Sequence, residues 1–218
     1  MALARSALRR DPRLQFFKLC GSGTGEGFTP RPNRQVWAIL AVWASEQAAR
    51  SAVADSPVWQ RWRAKARDAW TIYLDPVSVR GSWSGVCPFL SDAAKGEAVS
   101  GPIAALTRAS LHPGRALRFW QRVPDISSAI GANPDVLFKI GIGEMPFLHQ
   151  VTFSIWPDST SMAAFARATG PHAEAIRAVR EGNWFAEELY ARFRILGAEG
   201  RWGGVDPLAD KLAERDAA

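Results

Sequence analysis

Cysteine and histidine are scarce, and their scarcity removes whole classes of function. Two cysteines, Cys20 and Cys87, cannot build a disulfide framework, and neither stands in a CxxC or Cys/His spacing that would hold structural zinc. The three histidines, His112, His149 and His172, fall in different predicted elements, so they form neither a zinc set nor a Ser/His/Asp arrangement with local support. Long apolar runs are also missing. The longest, residues 36–44, is far short of the roughly 20 residues a membrane span needs. Arginines break up the apolar residues of the N-terminus, leaving no secretory h-region, so the cytoplasm is the expected compartment. Lysine is rare against arginine, and the net charge of +6 favours an anionic partner. The arginines are spread through the chain without a helix-turn-helix, an RNA-binding sheet motif or a zinc finger, so no nucleic-acid partner is expected. An anionic membrane surface, an acidic redox protein and a merely solvated basic surface all fit the charge.

What is present is enough for a core, with 218 residues and 47% hydrophobic. It also contains an internal repeat. Phe17-Lys18-Leu19 opens a stretch running through a glycine-rich loop to Gly25-Glu26, and Phe138-Lys139-Ile140 opens one running to Gly143-Glu144. Each leads to a strand ending in tryptophan, 36–43 and 149–156, then to helical residues and a proline, Pro57 or Pro171. The parallel then holds without a gap from Pro57 to Trp70 and from Pro171 to Trp184. Each copy closes on a Gly-x-Trp-x-Gly turn, residues 81–85 and 200–204.

The second copy shows the order of elements. The pattern predicts strands over 103–111, 136–142, 148–156 and about 189–196, with helices over 116–130, 159–168 and 171–180. That is the ferredoxin-like β-α-β-β-α-β order with its second helix broken in two. The expected fold is therefore α+β, two ferredoxin-like repeats forming a dimeric α/β-barrel-type fold from two sheets within one chain. The units are 1–90, a linker 91–100, 101–204 and a C-terminal tail 205–218. The first copy has no counterpart of strand 103–111, so an open strand edge is expected, covered by residues ahead of Met1 in a longer protein or by another element.

The loop Gly21-Ser22-Gly23-Thr24-Gly25-Glu26-Gly27-Phe28 suggests phosphate binding, but it fits no Gly-x-Gly-x-x-Gly register, lacks Gly-Lys-Ser/Thr and precedes a strand. A wide connection between two strands explains it better. His112, before Pro113, belongs to a surface loop. His172 follows a proline suited to the first helical position and shares a stripe with Ala175, Ile176 and Val179, where a core histidine is the ordinary reading; Val58 stands at its position in the first copy. His149 alternates with Val151, Phe153 and Ile155 onto one face, so His149 and His172 could line one cavity walled by Trp156, Trp184 and Phe185. Ten tryptophans suit a large planar or polyene ligand, although core packing is the plainer account of them.

Residues 17–30, 138–144, 149–156, 170–177 and 184–190 together resemble the spheroidene monooxygenase family, acyclic-carotenoid 2-ketolases of photosynthetic bacteria, over nearly the whole chain. The resemblance implies a haem-dependent monooxygenase of carotenoid biosynthesis that uses O₂ and reduced ferredoxin to place a keto group at C-2 of acyclic carotenoids, converting spheroidene to spheroidenone. It implies an axial histidine on a helix over the sheet, a role that His172 matches ahead of His149, and an extra strand and most of a helix ahead of the position of Met1. His172 is thus the expected iron ligand, with His149, Phe153, Trp156, Trp184 and Phe185 around the cofactor and Arg177 toward a haem propionate. Because carotenoids dissolve in bilayers, peripheral contact with the inner or photosynthetic membrane is expected. The competing expectations are a non-enzymatic haem or hydrophobic-ligand carrier, a cofactor-free oxygenase and an aldoxime dehydratase on the same scaffold.

Overall fold

The computed structural model describes residues 2–25, 27–89, 99–121, 133–167 and 182–217. Helix α1 (Ala2–Leu8) precedes the strands β1 (Leu14–Gly23) and β2 (Pro32–Trp43). Next come α2 (Glu46–Asp55), α3 (Pro57–Lys65) and β3 (Trp70–Gly81). The second half contributes β4 (Ile103–Leu111), β5 (Phe138–Gly143), β6 (His149–Trp156), α4 (Ser159–Arg167), β7 (Phe185–Gly200) and α5 (Ala209–Asp216). Residues 116–121 are also helical. Residues 91–98 of the predicted linker 91–100, the predicted helix past residue 121 and the segment carrying His172 and Arg177 lie outside the described residues.

All seven strands join one antiparallel sheet in the order β2-β1-β5-β6-β4-β7-β3, where two sheets were expected. Its β5-β6-β4-β7 part has the ferredoxin-like strand order. Two seams fuse this part to the first half of the chain. One is long, β3 along β7 from Trp70↔Gly200 to Gly81↔Leu189; the other is short, Gly21↔Gly143 and Ser22↔Ile142 between β1 and β5. Trp70 of β3 lies 4.9 Å from Phe138 of β5, and Trp83 beyond β3 lies 5.9 Å from Phe16 of β1, so side chains from distant strands meet over one face. The sheet therefore curls.

The concave face holds the main core. Cys20, Ala104, Leu106, Val151, Ile155, Leu189, Ala191 and Phe193 are buried there, with Trp83 closing one end. The convex face is covered by helices: Leu19 packs with Val58 of α3 and with Ala4 and Leu8 of α1, while Ile103 and Trp156 pack with Met162 of α4. Capping fixes the helix starts. Ser45 Oγ accepts from the amide of Ala48, and Ser56 caps α3 ahead of Pro57.

Three features depart from the sequence pattern. Strand β7 has 16 residues and exceeds the predicted 189–196 because β4 and β3 pair along different stretches of it, including the polar residues at its ends. The residues read as a C-terminal tail form α5, and Leu208 ahead of it is fully buried. The two Phe-Lys-Leu/Ile triplets are out of phase by one residue: Phe17 faces the helices, whereas Phe138 faces the concave core, where its counterpart in position is Phe16.

The glycine-rich loop is a wide β1–β2 connection, as the sequence suggests. Gly27 (φ 90°) passes so close to β5 that a Cβ would stand 2.0 Å from the Gly141 carbonyl oxygen. Gly27→Ala is expected to destabilise the protein by about 2 kcal/mol in urea unfolding, through backbone strain and a displaced loop. An unchanged midpoint would show that the loop gives way freely.

Candidate active site

The convex face over β4–β7 carries an aromatic cluster. Leu111 ends β4, Trp184 precedes β7, Phe119 comes from the helical residues 116–121, and Phe28 is brought across from the β1–β2 loop; all four are buried. Phe28 reaches this position because Gly141 has no side chain, its Cδ1 lying 2.9 Å from where a Cβ would stand. Phe185 and Trp120 pack against the cluster, Phe119 meeting Phe185 at 6.1 Å and Trp120 at 5.5 Å, both edge-to-face. The N–H of His112 donates to the carbonyl of Trp184 at 3.0 Å and ties the end of β4 to the start of β7, while its side chain is exposed. Gln150 sits opposite Ala109 in the β4–β6 ladder, on the same convex face, and its buried Nε2 has no hydrogen-bond partner among the described residues.

The concave face carries a charged cluster at one end. Glu144 Oε1 lies 2.8 Å from Lys18 Nζ, and Oε2 accepts from Trp83 Nε1 at 2.8 Å and lies 3.5 Å from His149 Nδ1. Burial opposes ionisation of Glu144, but Lys18 and the Trp83 N–H outweigh it and hold the carboxyl below its ordinary value. Burial lowers the His149 pKa, helped by the charges of Arg108 and Lys18 and only partly opposed by Glu144, so the imidazole is neutral at pH 7. Arg108, 2% exposed, pairs with Glu187 and lies 5.6 Å from the Trp83 ring. Glu187 also accepts from the amides of Gly85 (2.7 Å) and Ser84 (3.1 Å) and from Ser82 Oγ (2.9 Å). Burial works against the charge of Glu187, yet these bonds and Arg108 bring its pKa down to about 2. Burial, reinforced by Glu144, pushes the Cys20 thiol up to about 12, so it is not a thiolate at neutral pH.

The sheet thus separates the residues singled out from the sequence. His149 and Phe153 share one face, as their alternation predicts, but it is the concave face and not the one expected against the helices. Trp156, 5.1 Å from Phe165 of α4, and Trp184 and Phe185 are on the convex face. His149 therefore does not share a cavity with those three. Phe28, Leu111, Phe119 and Gln150 complete the convex site and were not singled out. Only Phe28 carried a signal, standing at the end of the glycine-rich loop. Among the described residues no three His, Cys, Asp or Glu side chains form a metal site.

A planar cofactor such as haem needs an apolar slot and an axial donor. The convex cluster offers the aromatic walls; of the described histidines only the exposed His112 stands near it, so an axial donor there has to come from outside the described residues. The concave cluster offers one imidazole, but it stands among packed charged side chains rather than beside an apolar slot.

No family model matches the chain. It is similar to the spheroidene monooxygenase of Rhodobacter capsulatus, 56% identical over 218 residues, covering all of this chain and 90% of that one. It is likewise similar to the spheroidene monooxygenase of Cereibacter sphaeroides, 56% identical over 205 residues, covering 94% of this chain and 63% of that longer one. Among solved structures, an anthrone oxidase-like protein is similar at 8% identity and a TM-score of 0.37, covering 94% of this chain and 86% of that one.

Proposed function

The chain belongs to the spheroidene monooxygenase family, and from that membership we propose that this oxidoreductase inserts oxygen from O₂ at C-2 of an acyclic carotenoid. The observation that carries the reading is the aromatic cluster of Phe28, Leu111, Phe119 and Trp184 on the convex face. Its flat apolar walls suit the end of a polyene and keep water from the reacting carbon. Each round of oxygenation consumes one O₂, two electrons and two protons, inserts one oxygen into a C–H bond and releases the other as water. A second round at the same carbon gives a geminal diol that loses water to the ketone.

No protein side chain is a strong enough oxidant for this bond, and bound haem supplies that oxidising power. His172 is the proposed iron ligand and Arg177 the proposed partner of a propionate. Trp184, Phe185 and Phe119 orient the ring and the substrate, and the Gln150 amide donates a hydrogen bond into the site. On the opposite face, Glu144 and Lys18 hold His149 in place, which makes His149 a packing residue in this scheme. Reduced ferredoxin is the proposed electron donor, in keeping with the net charge of +6, and the bilayer is the proposed source of substrate.

We also infer that the scaffold consists of two ferredoxin-like units, residues 1–90 and 101–204, the first short of one strand. Two features support this. Trp83↔Val86 and Trp202↔Val205 close matching turns, and the aromatic partners of those tryptophans, Phe16 and Phe138, stand in corresponding places.

The test is turnover. Spheroidene in detergent micelles with O₂, reduced ferredoxin and the haem-loaded protein should yield a ketone whose polyene absorption is shifted to longer wavelength. Omitting O₂ or reductant should abolish it. A protein that binds the pigment and leaves it unchanged would be a carrier, and the proposal would fall.

A further inference from the structure

The convex aromatic cluster continues to the surface. From Phe185 the rings run edge-to-face through Phe119 and Trp120 to Phe147, the last step spanning 6.3 Å. Phe147 stands at the tip of the β5–β6 turn and is 53% exposed. Its backbone is left-handed (φ 67°), which a bulky residue rarely adopts, and Trp120 Nε1 donates to its carbonyl at 2.9 Å. The turn is thereby held with its ring outward. Met145 on the same turn is 49% exposed, and Leu117, one helical turn from Trp120, is 73% exposed.

Solvated apolar side chains are ordinary singly, but three large ones gathered around a held turn mark a contact surface. Among the described residues the exposed charge beside them is of one sign. Arg115 and Arg118 are exposed next to Leu117, while the nearest acid of the turn, Glu144, is directed inward to Lys18 and Trp83. Apolar side chains at a tip with arginines at the rim match a lipid surface with anionic headgroups.

We propose that Leu117, Met145 and Phe147, flanked by Arg115 and Arg118, dock the protein on an anionic bilayer, with the aromatic path leading from the lipid to the convex site. The route as a substrate path rests on the carotenoid reading; the docking surface does not. Insertion of the tip places the end of the path at the depth of the acyl chains, so an apolar molecule would pass from bilayer to protein without crossing water.

The experiment is co-sedimentation of the full chain with vesicles of phosphatidylcholine alone and of phosphatidylcholine with phosphatidylglycerol. Wild type should bind the anionic vesicles, more weakly as salt rises. The double variant Leu117→Glu/Phe147→Glu should bind roughly tenfold or more weakly, and Arg115→Glu/Arg118→Glu should lose the preference for phosphatidylglycerol, both with unchanged circular dichroism. With spheroidene in micelles, Arg115→Glu/Arg118→Glu should turn over at the wild-type rate while losing turnover of spheroidene held in anionic vesicles. Absence of wild-type binding, equal binding by Leu117→Glu/Phe147→Glu, or a wild-type dimer that this variant dissociates would each overturn the docking surface. If no variant or wild type turns over spheroidene but the vesicle results hold, the carotenoid reading fails and the surface stands.

Discussion

Glu187→Gln is expected to cost about 2 kcal/mol of folding stability, read as a fall in the urea midpoint at unchanged slope. The reason is the partner it leaves behind. Arg108 is 2% exposed and Glu187 is its ion-pair partner, so the neutral amide leaves a buried guanidinium uncompensated. The same carboxylate accepts from Ser82, Ser84 and Gly85, which hold Trp83 over the end of the core. Replacing the arginine as well, in Arg108→Met/Glu187→Gln, should recover a large part of the loss, because two apolar or neutral groups are cheaper to bury than one unpaired charge. A single-variant cost below about 1 kcal/mol would mean that water reaches Arg108 and that the pair does not pin the turn.

The pair also sets a pH dependence. The folded-state pKa of Glu187 lies at about 2, below its ordinary 4.5, so its contribution is complete above about 4.5 and is lost as the pH falls toward 2. With the side chain 21% exposed, screening reduces that contribution to the order of 1–2 kcal/mol. Unfolding midpoints measured between pH 5 and pH 2 should fall less steeply in Arg108→Met/Glu187→Gln than in wild type, whose carboxylate must take up a proton as it unfolds.

Much of the second half was legible because its patterns are local. Ile103–Leu111 matches its predicted strand, and Ser159–Arg167 its helix within one residue, since periodicity and a following turn mark both. Period alone, however, does not say which face of a strand meets the helices. His149, Val151, Phe153 and Ile155 do share a face, but it is the concave one, because the curled sheet has a core of its own opposite the helices. That one ambiguity split the predicted site. The charged cluster was illegible for a related reason. Lys18, Trp83, Arg108, Glu144 and Glu187 come from five separate segments, and the β1–β5 and β3–β7 seams together with the β4–β7 ladder bring them together. The turns at residues 81–85 and 200–204 each carry a Trp↔Val bridge, yet their environments differ. Trp83 is fully buried against Glu144, whereas Trp202 is 38% exposed.

His172→Ala is expected to abolish the Soret band of the haem-loaded protein, while His149→Ala and His112→Ala retain it. An iron ligand must be neutral at working pH, have a lone pair free and stand beside an apolar slot. His149 fails the last condition: its Nδ1 lies 3.5 Å from Glu144 Oε2, an arrangement that leaves Nε2 free, but it stands on the face opposite Trp184 and Phe185. His112 stands at the rim of the aromatic cluster with its side chain exposed, where water competes for the metal. Cys20, buried on the concave face with its thiol at about 12, offers no thiolate. His172 lies outside the described residues, and it is the family resemblance that implies its role as axial ligand on a helix over the sheet. Free imidazole should restore the band in His172→Ala by filling the space the side chain vacates, a rescue that a purely structural histidine would not show. Loss of the band in His112→Ala alone would move the iron to the rim of the aromatic cluster, and loss in His149→Ala alone would move it to the concave face. Phe119→Ala should separate those two outcomes, since it loosens the cofactor only if the ring lies on the convex side.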